Sequence, residues 1–122
     1  MNGRLTTHVL DVSKGKPAAG LRLQLFARDE EGAAVLLRDA RTNEEGRLVE
    51  PLLDGSDFRE GLYEILFWAG EYFAGGDAGG GGNGSERFLD LIPVRFRVCD
   101  AAVHYHVPLL VAPGGYSTYR GS

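Results

Sequence analysis

The sequence predicts an all-β chain, folded as an antiparallel sandwich of short strands. Three observations carry that expectation. Apolar side chains recur with period two, and glycine or proline fills the breaks between apolar stretches. No stretch long enough for a crossover helix shows an amphipathic helical pattern, so βαβ units are excluded.

Arg4 to Val12 (RLTTHVLDV) opens the chain as a candidate strand. Leu21, Leu23 and Leu25 then alternate with Arg22 and Gln24, which marks a strand with one buried face. Two weaker strands are expected at Val35 to Arg41 and Arg47 to Leu52. Leu62 to Ala69 (LYEILFWA) is rich in aromatic side chains and β-prone, and Ile92 to Val98 sets Arg95 and Arg97 opposite Val94, Phe96 and Val98. His104 to Val111 and Tyr116 to Arg120 complete eight short strands. Between them, Lys14-Gly15-Lys16-Pro17, Glu31-Gly32, Asn43-Glu44-Glu45-Gly46 and Pro113-Gly114-Gly115 supply the residues that reversals need. Only Gly70 to Ala74 offers a short helix.

A length of 122 residues implies one domain spanning 1–122. The balance of 13 Lys plus Arg against 17 Asp plus Glu gives a net charge of −4, and no basic stripe suggests nucleic acid. The single cysteine, Cys99, excludes an intrachain disulfide and a multi-cysteine metal cage. No apolar run approaches the roughly 18 residues of a membrane span, and no apolar signal core follows Met1, so a cytoplasmic protein is expected. Glycine is abundant at 18 residues, concentrated in the run from Gly75 to Gly84. No Gly-Lys-Ser or Gly-Lys-Thr follows that run, which reads as a flexible surface loop and not a phosphate cradle.

The chemistry rests on three histidines, His8, His104 and His106. Residues two apart on a strand share a face, so His104 and His106 point the same way. The spacing leaves three readings open: half of a metal site completed by His8, metal-free acid–base work, or structural roles. His8 shares its strand face with Thr6 and Leu10, a mixture that fits either core or cleft. Arg47 follows Gly46 at the exit of a turn.

Four segments resemble a known family. Leu5 to Asp11 (LTTHVLD), Thr42 to Leu48 (TNEEGRL), His104 to Leu110 (HYHVPLL) and Pro113 to Ser122 (PGGYSTYRGS) look like the 5-hydroxyisourate hydrolases, the transthyretin-related enzymes of urate breakdown. The Tyr119-Arg120-Gly121-Ser122 tail is the most specific part. Transthyretin itself shares the fold but lacks these histidines, the arginine and the tail. The glycine run departs from the family, which has a shorter loop there, and no signature residue lies in it.

The resemblance implies a transthyretin-like (prealbumin-like) sandwich of two four-stranded sheets with one short helix. It also implies a homotetramer with active sites where subunits meet, and no cofactor. The reaction would be hydrolysis of 5-hydroxyisourate to 2-oxo-4-hydroxy-4-carboxy-5-ureidoimidazoline; the alternative is a binding module that carries a small planar ligand without turnover. On this basis His8, Arg47, His106 and Ser122 are the expected catalytic residues. His8, Arg47, Tyr119, His104 and Arg120 are expected to bind substrate. A histidine suits water activation near neutral pH, and a guanidinium suits the oxyanion of a tetrahedral intermediate. The Ser122 carboxylate or Arg120 is expected to orient partners in the site.

Overall fold

The computed structural model describes residues 3–75 and 88–121. The expected glycine loop, from residue 76 to Gly84, lies outside the described residues. In chain order the elements are β1 (Arg4–Asp11), β2 (Lys16–Pro17), β3 (Arg22–Arg28), β4 (Ala34–Arg41), β5 (Leu53–Asp54), β6 (Gly61–Trp68), α1 (Ala69–Gly75), β7 (Leu91–Val98), β8 (Tyr105–Ala112) and β9 (Gly115–Thr118). One sheet runs β2-β1-β8-β9 with β5 also beside β1, and the other runs β4-β3-β6-β7. The second sheet has the four strands expected. The first has a fifth, because two two-residue strands, β2 and β5, dock at opposite ends of the free edge of β1.

The sandwich forms because each strand turns its apolar set inward. Leu5 and Val9 of β1, Leu23 and Leu25 of β3, Ile65 and Phe67 of β6, and Leu109 and Val111 of β8 are fully buried. Each such side chain contributes roughly 1.5–3 kcal/mol by leaving water. The expected short helix is present as α1, which buries Ala69 and Phe73. Tyr72 of α1 donates its hydroxyl to the buried Asp11 carboxylate at 2.8 Å, tying the helix to the end of β1.

Two expectations are corrected. The sheets are not antiparallel throughout, since β1 and β8 pair in parallel, Leu5 with Tyr105 through to Asp11 with Val111. No hairpin joins them; nearly the whole chain intervenes, and a long connection permits either direction. Arg47 to Leu52 is not a strand. Leu48 and Leu52 do turn toward the core, which produced the alternation, but Pro51 has no N–H for a ladder and Val49 is 92% exposed. Only the Leu52 N–H reaches β1, bonding the Leu5 carbonyl at 2.8 Å just before β5 begins.

Candidate active site

Alternation along β1 sends Leu5, Thr7, Val9 and Asp11 into the core and leaves Thr6 and His8 half-buried on the outer face. On β8, Tyr105, Val107, Leu109 and Val111 are buried, and His106 stands half-buried on that same outer face. The parallel register sets Thr6 beside His106 and His8 beside Pro108. Thr6 Oγ1 lies 2.8 Å from His106 Nδ1. His104 falls just before β8 and is exposed.

Arg47 arrives from the turn that begins at Asn43. The Asn43 side-chain oxygen accepts from the backbone N–H of Glu45 at 2.9 Å and of Arg47 at 3.1 Å. The turn is fastened to β1 by Val9 N–H donating to the Gly46 carbonyl at 2.8 Å. Gly46 has φ +76 and packs so tightly that a Cβ would strike the Val9 carbonyl oxygen and come within 3.3 Å of His8 Cδ2. Next to it, the Glu45 carbonyl oxygen lies 2.9 Å from His8 Nε2. A carbonyl can only accept, so His8 Nε2 carries the proton, and the lone pair of the neutral ring is on Nδ1.

These elements enclose an open cleft of about 340 Å³ lined by Arg4, Thr6, Arg47, His104 and His106. Among the described residues, no carboxylate lines it. Thr6 and Arg47 also border an adjoining hollow of about 180 Å³. A larger hollow of about 720 Å³ lies elsewhere, between Leu37 and Arg38 on β4 and the segment around Pro51 and Asp54, and has no histidine. Burial pushes the His106 pKa below its ordinary 6.5; the charge of Arg47 and the proximity of the His8 ring push it further, against an opposing effect of the Thr6 backbone. His106 is therefore neutral at pH 7.

The structure thus gathers His104, His106 and Arg47 around one cleft, with His8 near enough to act on His106. The tail is placed differently. An isolated bridge between His106 and Gly121 continues the β8–β9 ladder in register, which puts Tyr119 opposite Pro108 on the histidine face, 59% exposed. The Arg120 guanidinium lies 4.1 Å over the ring of the buried Tyr105, which points it away from His106. Tyr119 and Arg120 line a separate hollow of about 210 Å³ with Val94 to Arg97 of β7. Ser122 lies outside the described residues.

Three residues of the site escaped the sequence. Thr6 was legible as a neighbour of His8 on one strand face, but nothing local pointed to its partner across the sheet. Arg4 lay at a strand start without a motif of its own. Gly121 lay within the tail signature, but the contact it makes with His106 depends on tertiary structure: its N–H donates to the His106 carbonyl at 2.7 Å. Among the described residues, no group of three or more His, Cys, Asp or Glu stands together as a metal-binding set.

A two-sheet sandwich whose open cleft is lined, among the described residues, by two histidines, two arginines and a threonine defines an all-β protein with a polar, cationic candidate site. The chain belongs to the HIUase/Transthyretin family, which it matches over residues 5–121. It is 53% identical over 122 residues to the 5-hydroxyisourate hydrolase of Halalkalibacterium halodurans, covering 100% of both chains. Among solved structures it is similar to (S)-allantoin synthase, with a TM-score of 0.87 and 44% identity. That match covers 99% of this chain, which spans 44% of the synthase. It is also similar to the 5-hydroxyisourate hydrolase of Klebsiella pneumoniae, with a TM-score of 0.77 and 32% identity, covering 98% of this chain and 99% of that one.

Proposed function

We propose that this protein is an enzyme that hydrolyses 5-hydroxyisourate, opening the six-membered ring to give 2-oxo-4-hydroxy-4-carboxy-5-ureidoimidazoline. The observation that carries the reading is the convergence of His106, His104 and Arg47 on one cleft, with His8 alongside. Whole-length similarity to 5-hydroxyisourate hydrolases supports it.

The chemistry follows from the groups present. Water adds through its oxygen to the ring carbonyl carbon, the carbonyl oxygen becomes an oxyanion, the carbon–nitrogen bond breaks, and the departing nitrogen takes a proton. His8 and His106 share proton transfer and water positioning. Arg47, permanently charged, binds the substrate carbonyls and steadies the oxyanion, an interaction strengthened in a site that excludes water. His104 at the cleft rim and Tyr119 on the same sheet face are substrate contacts. Ser122, next along the chain from Gly121, is read as a group that orients the histidines.

The working form is a homotetramer in the cytoplasm, with sites completed where subunits meet. In support, Tyr119 on the histidine face and Val49 beside Arg47 are large apolar side chains left exposed by the isolated subunit. The test is to add 5-hydroxyisourate made fresh from urate and follow its ultraviolet decay. Decay faster than the buffer blank is expected, and tight binding without turnover would overturn the enzyme reading in favour of a carrier. Size-exclusion chromatography with light scattering reads the assembly, and a monomer at assay concentration would overturn the tetramer.

A further inference from the structure

We propose that Thr6 is a positioning residue for His106: its hydroxyl donates to Nδ1, so the neutral imidazole carries its proton on Nε2. The inference rests on the reading of His106 as a working group. The two side chains stand side by side because β1 and β8 are parallel neighbours, and the contact of 2.8 Å joins residues 100 apart in sequence.

The direction of this hydrogen bond follows from the surroundings. A threonine hydroxyl has a single proton to give. Among the described residues, the cleft around it is lined by Arg4, Arg47, His104 and His106, with no carboxylate. Arginine side chains have no acceptor, so the Thr6 oxygen faces cations and its proton has the His106 lone pair within reach. The reverse arrangement, with Nδ1–H donating to Thr6, would leave the hydroxyl proton directed into a cationic cleft.

The consequence is a division between the two rings. His8 is held by the Glu45 carbonyl with Nε2–H engaged, so the group it has free is the Nδ1 lone pair. His106 is held by Thr6 through Nδ1, so the group it has free is an N–H donor. One imidazole thus offers an acceptor and the other a donor, which is what moving a proton from water to a departing nitrogen requires. Without the Thr6 hydroxyl, His106 would sample both tautomers and a wider range of ring orientations. Outer partners of this kind, measured for metal-bound imidazoles, typically cost about 10- to 100-fold when removed.

The experiment compares wild type, Thr6→Val, Thr6→Ser and His106→Ala. The protein is ¹⁵N-labelled at histidine, and the ring resonances of His106 are assigned by their loss in His106→Ala. Wild type and Thr6→Ser are expected to show His106 with its proton on Nε2 and to turn over at similar rates. Thr6→Val, nearly isosteric, is expected to show mixed tautomers and a kcat about 10- to 100-fold lower, with KM little changed. A wild-type His106 protonated on Nδ1, or unchanged tautomer and kcat in Thr6→Val, overturns the inference. If His106→Ala turns over like wild type, the underlying reading of His106 fails instead.

Discussion

The peptide N–H of Gly121 donates to the carbonyl oxygen of His106 at 2.7 Å, and the space a side chain would need at this glycine is taken by the His106 side chain. A Cβ at position 121 would come within 2.7 Å of His106 Cδ2, closer than real Cβ contacts allow. Gly121→Ala must therefore turn or push the ring. Because it acts at the end of the described chain, far from the core leucines, we expect kcat to fall at least about tenfold, the usual scale for a misplaced catalytic group. The melting temperature should change little. An alanine variant with wild-type kcat would show that the ring has room to adjust.

His106→Ala is expected to lower turnover by about 10² to 10⁴-fold, the range for a positioned general acid or base. His106 lies on the outer face of β8, so its loss leaves the buried set intact and the fold should survive. His104→Ala should cost less, since His104 is exposed at the cleft rim and stands outside the strand that holds its neighbour. Steady-state kinetics on both variants, with circular dichroism to check folding, reads the difference. Equal losses would mean that the rim histidine does equivalent chemistry.

The pH dependence follows from His106. Its pKa in the folded protein lies below the ordinary 6.5, chiefly through burial and then through Arg47 and His8. The unfolded chain therefore binds more protons between those two values, and stability falls as pH drops from about 6.5 through the folded pKa. Well above 6.5 both states are neutral and the group adds no slope. Activity should show an acid limb at the folded His106 pKa, and Arg47→Gln should move that titration upward. NMR titration of the His106 ring measures both positions. A downward shift in Arg47→Gln would contradict the electrostatic account.

Dialysis against a chelator is expected to leave kcat unchanged. A divalent cation in the cleft would face Arg4 and Arg47, and among the described residues no carboxylate lines the cleft to balance them. Activity lost on dialysis and restored only by zinc would refute this.

Gly46→Ala should behave unlike Gly121→Ala. An alanine at φ +76 costs roughly 1–2 kcal/mol from conformation alone, and its Cβ would also press on the Val9 carbonyl and the His8 ring. Stability and kcat should fall together, seen in urea unfolding and in the decay assay. A variant that loses kcat without losing stability would mean that the turn relaxes at no cost.

What the sequence determined by itself is local. The alternation of Leu21, Leu23 and Leu25, or of Ile92 to Val98, is a property of consecutive residues, so it revealed strands and their buried faces directly. The glycine turns and the short helix were legible for the same reason, and the family motifs singled out His8, Arg47, His104 and His106. Tertiary structure decided the rest. Period two says which residues share a face but not which strand lies alongside, so the parallel pairing of β1 with β8 left no trace in either strand. That pairing put Thr6 against His106. It was the register of β9 on β8 that brought Gly121 to the same ring and sent Arg120 over Tyr105. The Leu48 to Leu52 alternation misled because Pro51 withholds a ladder donor while the leucines still seek the core. Local pattern chose the side chains, and long-range strand pairing chose their neighbours.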